Sequence, residues 1–362
     1  MRPLLRSLNQ EQAHSLFKSL ELLDIDTFIA FLKRQGVAQL WLQFLLEQDQ
    51  LPATLEAVVD DLKQAAINTA ASQLMQRKVL KDVRDTFTGA GIEYLVFKGA
   101  NLRHTIYADP TQRPVCDVDI LVRDESKLDA VRTLLQADFV AEHKAENISH
   151  ETSLHKHGVW IDLHWHLLRP GRTRIDLNDY LFDQAQAFGE EKIMDASDQS
   201  GDQARNQEFI GLSNEASLLV MLIHPAITKY VNGSFSSLMH LVDIHHLARK
   251  EDINWPHLVD TLRVSGTATA AWASLVWLQM LADQPILEDL SARLEPGNLK
   301  AKWLRYWLRN NLNVKYVENT FLIRSCFSLV LQDRLTDSIT AMVTLNKARK
   351  ESTATLQSFK NP

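Results

Sequence analysis

Two aspartates separated by one residue are the clearest sign of chemistry in this sequence. Asp117 and Asp119 open the segment Asp117–Val122, whose valines, isoleucine and leucine predict a buried β-strand. Residues i and i+2 of a strand point to the same face, so the two carboxylates would lie side by side. Like charges that close repel one another unless a cation is near. The pair is therefore a candidate site for a hard divalent cation.

Residues that could meet a phosphate lie just before this pair. Lys98 and Gly99 follow a predicted strand, Ile92–Phe97, and Arg113 lies in the loop that leads to Asp117. Arginine binds phosphate through a planar fork, lysine binds it as a point charge, and glycine lets the backbone approach a ligand closely. The alternative is structural, because the two cations could simply neutralise the aspartates in a metal-free fold. Gly99 could likewise be only a turn.

A third carboxylate, Asp162, lies in a predicted hairpin over residues 151–166. If the hairpin turns at His157-Gly158, Asp162 and His164 share one face and Ser153 lies opposite Asp162. The polar face of the hairpin would then present Asp162 to the pair at Asp117 and Asp119, with His164 beside it on the same face. The alternative is a hairpin aspartate that only bonds a neighbour such as His164. A zinc site is disfavoured because no cysteine pattern accompanies the histidines.

Taken in order, these motifs resemble a known enzyme superfamily. The set comprises Lys98-Gly99, Arg113, Asp117–Val122 and Ile161–His164, and it spans roughly Ile92 to Leu167. It is similar to the nucleotidyltransferase superfamily of DNA polymerase β, and more narrowly to a bacterial family of uncharacterised nucleotidyltransferases with KG, DxDxLV and IDLH motifs. The sequence departs from the superfamily pattern at Gly99-Ala100, where a Gly-Gly or Gly-Ser turn is usual.

The resemblance implies a metal-dependent transfer of a nucleoside monophosphate from an NTP, with ATP favoured, to an acceptor hydroxyl with release of pyrophosphate. It assigns the catalytic and metal-binding roles to Asp117, Asp119 and Asp162, and nucleotide binding to Lys98, Gly99, Arg113 and His164. Mg²⁺ is the expected ion because the expected ligands are hard oxygens, and Mn²⁺ is the alternative. The acceptor is open among protein, RNA and small molecules, and a toxin-like activity falls within this range. A non-catalytic binding protein that keeps the sheet as a scaffold is the competing hypothesis.

The expected fold class is α+β, with a polymerase β-like nucleotidyltransferase sheet between two helical parts. Helical periodicity predicts a helical N-terminal region over residues 1–88, including one long helix from Ala53 to Phe87. Residues 89–205 are assigned to the catalytic domain, with Pro170–Gly201 as an irregular exit from it. Residues 206–362 are assigned to a helical C-terminal domain that starts with a short strand, Phe209–Leu212, and an N-cap at Ser213.

Further helices are predicted at Ser236–Arg249, Trp255–Ser265, Ala268–Ala282 and Leu299–Asn310, with a last apolar segment at Phe321–Val343. Within the first of these helices, Asp243 is expected to form a cap or an ion pair inside the bundle.

Composition sets broad limits on the kind of protein. The chain has 362 residues, 45% of them hydrophobic, and a formal net charge of −6, which argues against a general electrostatic attraction to nucleic acid. The two cysteines, Cys116 and Cys326, imply neither a disulfide framework nor a zinc site. The start of the sequence becomes polar too early for a signal peptide, and no apolar run of membrane length is present. The cytoplasm is the expected location.

Overall fold

The protein is described by a computed structural model. It describes residue 4 and residues 10–20, 23–142, 150–189, 209–229, 231, 237–282, 287–310, 327, 329–344 and 347–348. Within these residues the fold is α+β, with helices before and after one mixed sheet, as predicted.

The N-terminal part is helical as predicted. Its helices are α1 (Gln10–Leu20), α2 (Ile25–Arg34), α3 (Ala38–Leu46) and the long α4 (Ala53–Ala90). Asp24 begins α2 by accepting a hydrogen bond from the backbone N–H of Thr27 at 3.1 Å. Gly91 ends α4 in the left-handed conformation at φ 67°, which glycine adopts without steric cost. The C-terminal half of α4 continues alongside the sheet.

One seven-stranded sheet forms the centre of the described structure, in the order β3-β4-β5-β2-β1-β7-β6. The strands are β1 (Tyr94–Phe97), β2 (Asp117–Val122), β3 (Val140–Glu142), β4 (Glu151–Lys156), β5 (Val159–His164), β6 (Ala185–Phe188) and β7 (Phe209–Leu212). Strands β2 and β5 pair in parallel, as do β1 and β7, and the other neighbouring pairs are antiparallel. Helix α5 (Lys98–Thr105) follows β1 directly, and α6 (Lys127–Gln136) lies between β2 and β3.

The hairpin of β4 and β5 has the predicted turn and register. His157 and Gly158 both have positive φ, 51° and 77°, as a tight two-residue hairpin turn requires. Ser153 therefore lies opposite Asp162. On its other edge β5 pairs with β2 so that Asp162 lies beside Asp119. Two carboxylates 43 residues apart in the sequence thus become neighbours on adjacent strands.

The prediction of an irregular segment over Pro170–Gly201 is wrong for the part that the structure describes. Helix α7 (Asn178–Asp183) and strand β6 lie within it, and residues 190–208 fall outside the described residues. Strand β6 is an edge strand whose first three residues are exposed. It therefore lacks the alternation of apolar and polar residues from which a strand is predicted. Its pairing with β7, which comes later in the chain, defines it.

The two faces of the sheet join different hydrophobic clusters. Val118 and Ile120 of β2 pack in a cluster with residues of α4 and α6. Leu121, on the opposite face, belongs to the larger cluster, which contains residues of α1–α3, of the N-terminal half of α4 and of the helices after β7. Because Asp117 and Asp119 alternate with Val118 and Ile120, the strand that anchors the sheet to α4 and α6 also presents both carboxylates away from them.

The secondary structure described after β7 is helical. Its helices are α8 (Asn214–Lys229), α9 (Ser237–Leu247), α10 (Trp255–Val264), α11 (Ala268–Ala282), α12 (Glu288–Leu294) and α13 (Asn298–Arg309), and residues 335–344 are also helical. Ser213 caps α8 as predicted, since its Oγ accepts a hydrogen bond from Ala216 N at 3.2 Å. The sequence did not single out α12.

The predicted apolar segment Phe321–Val343 lies partly outside the described residues. In the described part of the chain, none of the helices combines the length and the hydropathy that crossing a bilayer requires.

Candidate active site

Asp119, Asp162 and His164 converge on one face of the sheet. Asp119 and Asp162 are direct neighbours in the β2–β5 register, and His164 follows two residues later on the same face of β5. One ligand atom of each residue lies within 4.8 Å of those of the other two. We call this set the acid–histidine group. Its two carboxylates and one imidazole are all groups that bind divalent metal ions, so the residues fit a cation.

Asp119 is the buried centre of this group, with 6% of its surface exposed. Its Oδ1 accepts a hydrogen bond from Lys98 Nζ at 2.5 Å and lies 3.0 Å from His164 Nε2. Burial raises the pKa of Asp119, but the charge of Lys98 and the contacts with His164 outweigh that effect and lower the pKa to about 2. Asp119 is therefore a carboxylate at neutral pH.

Lys98 is positioned by the junction between β1 and α5. It is the first residue of α5 and has φ 53°, a left-handed conformation that is strained for a residue with a side chain, at a typical cost of about 1–3 kcal/mol. Burial lowers the pKa of Lys98, but the carboxylates of Asp119, Glu151 and Asp117 outweigh it and the net shift is upward. Three negative charges thus act on one ammonium group. The excess of negative charge favours an additional cation at the site.

Asp162 is the more accessible member of the acid–histidine group. It is partly exposed, and its Oδ1 accepts a hydrogen bond from Ser153 Oγ at 2.7 Å. A neutral hydroxyl orients the carboxylate but does not compensate its charge. The structural alternative gives His164 as an example of the bonded neighbour, and the hydrogen bond of Asp162 is with Ser153.

Asp117 has the predicted position on its strand but lies outside the acid–histidine group. It lies on the same face of β2 as Asp119, at the first position of the strand, and is paired in register with Trp160. It is not a member of the acid–histidine group. Its charge nevertheless reaches the site, because it contributes to the raised pKa of Lys98. A direct role for Asp117 as a metal ligand stays a prediction.

Arg113 lies in an ion pair with Asp243 of α9. Its Nη2 donates to Asp243 Oδ2 at 2.8 Å, and the hydroxyl of Tyr107 donates to Asp243 Oδ1 at 2.7 Å. The carboxylate of Asp243 is fully buried, with 0% of its surface exposed. The sequence predicts a cap or an ion pair inside the bundle for Asp243, and it forms an ion pair, but with a partner outside the bundle, in the loop before β2. The guanidinium of Arg113 therefore already has an anionic partner, and its predicted contact with a nucleotide stays a prediction.

Gly99 allows Arg113 to pack against the start of α5. A Cβ atom on Gly99 would lie 2.7 Å from Arg113 Nη1, which is closer than real Cβ atoms approach other atoms, and in a tight contact of 3.0 Å with Val115 Cγ2. The glycine is needed here for close packing between α5 and the loop before β2. Its predicted contact with a phosphate is compatible with this packing role and is not tested by it.

Sequence reasoning missed Glu151, the first residue of β4. Its Oε2 lies 3.2 Å from Nδ1 of His164 and 3.4 Å from Nε2 of His150. The signal that could have found it was available. The same hairpin register that places Ser153 opposite Asp162 places Glu151 opposite His164, two residues further along each strand.

Sequence reasoning also missed Arg103, a buried arginine on α5 with 3% of its surface exposed. Its Nη1 donates to Gln76 Oε1 at 2.9 Å, and Gln76 Nε2 donates to the carbonyl of Val115 at 2.7 Å. Burial and the nearby charge of Arg113 lower the pKa of Arg103 to about 9. The network ties α4 and α5 to the residues just before β2. No sequence pattern around Gln76, in the middle of a long helix, predicts its contact with Arg103.

A cavity of about 190 Å³ opens where β5 ends. It is lined by residues between His166 and Leu177, including Arg174 and Asp176. His166 Nδ1 lies 3.4 Å from Asp176 Oδ2 at its edge. The strand that carries Asp162 and His164 therefore leads directly to this cavity.

Comparison with known proteins supports a specific family. The model of a family described as "Uncharacterised nucleotidyltransferase" matches residues 21–283, which include α2–α4, the whole sheet and the helices through α11. No curated protein matches the chain. A crystal structure of an antigenic nucleotidyltransferase-like protein from Paracoccidioides brasiliensis is similar with 16% identity and a TM-score of 0.33, covering 62% of this chain and 91% of that one. A likeness this remote carries no argument about activity.

Proposed function

Because the chain belongs to the family of uncharacterised nucleotidyltransferases, we propose that it transfers a nucleoside monophosphate from an NTP to an acceptor hydroxyl and releases pyrophosphate. The observation that carries this proposal is the convergence of Asp119, Asp162 and His164 beside the ammonium of Lys98. We relate its sheet to that of the DNA polymerase β superfamily on the order of its motifs.

The proposed roles follow from the place of each side chain. Asp119, Asp162 and, at the edge of the group, Asp117 would hold a divalent cation, Mg²⁺ or Mn²⁺. When bound, the cation supplies charge that neutralises the phosphates of the NTP as the reaction proceeds. Lys98 leaves its contact with Asp119 to donate to the phosphates, and Gly99 keeps the backbone close to them. The NTP is proposed to be ATP.

The transfer step exchanges one bond to phosphorus for another. The acceptor oxygen forms a bond to the α-phosphorus, while the bond between that phosphorus and the oxygen bridging to the β-phosphorus breaks and pyrophosphate leaves. The acceptor proton passes to Asp162, which is the accessible carboxylate of the group. The cavity at the end of β5 is a candidate place for the acceptor, which would be a protein, an RNA or a small molecule.

The experiment that tests this function follows the label of the NTP. The protein is incubated with cell extract, Mg²⁺ or Mn²⁺, and each of the four NTPs labelled on the α-phosphate. We expect label to appear on one class of molecule with an equal amount of pyrophosphate. ATP labelled on the γ-phosphate is the control. Transfer of the γ-label would replace the proposal with phosphoryl transfer, and absence of any transfer would favour a non-catalytic protein.

The second candidate function is a non-catalytic binding protein that retains the fold. One observation favours it, namely that Lys98 Nζ lies 2.5 Å from Asp119 Oδ1 and neutralises that carboxylate without a metal ion. In such a protein the pair would serve only the fold. The proposed enzyme instead needs Lys98 for the nucleotide.

Lys98→Met separates these two functions. If Lys98 contacts phosphate, the variant should lose NTP affinity by about tenfold or more, as expected when a charged hydrogen bond worth about 1.5–3 kcal/mol is removed. Binding is measured by calorimetry and unfolding by urea titration on the same preparation. Lys127→Met is the matched control, because Lys127 pairs with Asp124 at 2.6 Å outside the site. A loss of stability with unchanged NTP affinity would favour the non-catalytic protein.

A further inference from the structure

His164 is held on both sides of its ring, although its two nitrogens differ in their contacts. The side chain is fully buried, and Nε2 lies 3.0 Å from Asp119 Oδ1. Nδ1 is buried and lacks an aligned hydrogen bond, and Oε2 of Glu151 lies 3.2 Å from it. A buried ring nitrogen without a partner costs about 1–3 kcal/mol. A small rotation of the Glu151 side chain would supply the missing acceptor, as often happens when a site binds its ligand.

The surroundings of Glu151 and His164 fix both side chains in place. Glu151 is directly opposite His164 in the antiparallel β4–β5 pair. His150 Nε2 approaches the same Oε2 of Glu151 at 3.4 Å, and the ring of Phe97 packs edge-on against His164 with centroids 5.0 Å apart. Neither the carboxylate nor the imidazole can therefore turn far from the other.

A carboxylate beside Nδ1 selects one form of the imidazole. With a cation held between Asp119 and Asp162, the imidazole proton would reside on Nδ1, where Glu151 could accept it, and the lone pair of Nε2 would face the cation instead of the Asp119 carboxylate. A metal-bound histidine is commonly oriented by a carboxylate in this way. The third donor of the acid–histidine group is then a nitrogen and not an oxygen.

A nitrogen donor changes which ions the site prefers. Mg²⁺ takes oxygen ligands almost without exception, whereas imidazole favours first-row transition metals. Mn²⁺ accepts carboxylates as readily as Mg²⁺ does and also lies in the transition series. A site with two carboxylates and one imidazole is therefore better matched to Mn²⁺ than the all-oxygen site expected from the sequence.

We propose that Glu151 is a positioning residue that aims Nε2 of His164 at the two aspartates, and that the resulting nitrogen ligand makes the site prefer Mn²⁺ to Mg²⁺. This inference rests on the proposed function for the presence of a cation. It adds the identity of the ion and the residue that determines it.

The test measures metal binding without any reaction. Mn²⁺ affinity is measured by electron paramagnetic resonance, Mg²⁺ affinity by competition, and nitrogen ligation by the ¹⁴N modulation of the Mn²⁺ spin echo. We expect the wild-type protein to show nitrogen coupling and to bind Mn²⁺ at least about tenfold more tightly than Mg²⁺, since imidazole ligation separates the two ions. Absence of nitrogen coupling, or equal affinities for both ions, would overturn the inference.

Two substitutions of Glu151 distinguish orientation from simple charge. Glu151→Leu removes the acceptor and should weaken Mn²⁺ binding by about 10–100-fold, the usual effect of losing a residue that orients a metal ligand. Glu151→Gln keeps an amide oxygen and should restore most of that loss. Equal losses in both variants, with Mg²⁺ and Mn²⁺ affected alike, would show that Glu151 acts only through its charge and would contradict a positioning role.

Controls keep the outcome independent of folding and of the proposed function. Asp82→Asn is the control variant. It removes a carboxylate that lies 2.8 Å from Nζ of Lys156, at the opposite end of β4 from Glu151, and it should leave metal binding unchanged. If Glu151→Leu does not fold, the nitrogen coupling of the wild-type protein still shows whether His164 is a metal ligand, and Glu151→Gln tests the role of Glu151. If Mn²⁺ binds with nitrogen coupling but no nucleotidyl transfer is found, the proposed function is wrong and this inference stands. If nucleotidyl transfer occurs with Mg²⁺ and Mn²⁺ shows no nitrogen coupling, this inference is wrong and the proposed function stands.

Discussion

Asp162→Asn is expected to reduce nucleotidyl transfer by about 10²-fold or more while NTP affinity stays nearly unchanged. Asparagine keeps the shape of the side chain and the oxygen that accepts from Ser153 Oγ at 2.7 Å, so the hairpin should fold as before. What disappears is the negative charge that would help to hold the cation and take the acceptor proton. Calorimetry gives the affinity and the α-label assay gives the rate, on the same preparation.

Ser153→Ala is the matched control for this prediction. It deletes the hydrogen bond that Asp162→Asn preserves but leaves the charge of Asp162, so transfer should fall far less than in Asp162→Asn. A modest and equal loss of NTP affinity and transfer in Asp162→Asn would make Asp162 an ordinary hairpin residue. The proton acceptor would then have to be sought elsewhere, with Asp117 as the next carboxylate on the same face.

The parts of the fold that the sequence predicts are those determined by local patterns. The alternation of Asp117, Val118, Asp119 and Ile120 predicts strand β2. A continuous apolar run predicts α11, whose observed bounds are the predicted ones. The hairpin of β4 and β5 is specified by His157-Gly158, because a two-residue turn fixes every cross-strand pair at once. From that register the approach of Asp162 to Ser153 follows directly.

The parts that the sequence did not predict depend on contacts between distant segments. Strand β6 is defined by pairing with β7 and shows no alternation of its own. The ion pair of Arg113 with Asp243 joins residues 130 positions apart, and no local pattern connects them. In the candidate site, the motif order led to Asp119, Asp162, His164 and Lys98, but only the parallel register of β2 and β5 brings the first three together.

The largest effect on stability is expected at the buried pair of Arg113 and Asp243. Asp243→Asn should lower the free energy of unfolding by about 3–5 kcal/mol, because it leaves the guanidinium of Arg113 buried without a counter-charge. The hydroxyl of Tyr107, which donates to the same carboxylate at 2.7 Å, would also lose its charged acceptor. Urea unfolding measures the loss. Asp129→Asn, which breaks an exposed pair with Arg132 at 2.8 Å, is the control and should cost well under about 1 kcal/mol.

The double variant Arg113→Met with Asp243→Leu then separates folding from nucleotide binding. Removing both charges should recover most of the lost stability, since a buried ion pair can often be replaced by apolar side chains at little cost. If NTP affinity remains that of the wild type in this variant, Arg113 serves to hold the loop against Gly99 and α9. If the variant is stable but binds NTP about tenfold or more weakly, as loss of a charged contact predicts, Arg113 also meets the phosphates. A cost below about 1 kcal/mol for Asp243→Asn alone would mean that the pair does not hold the loop in place.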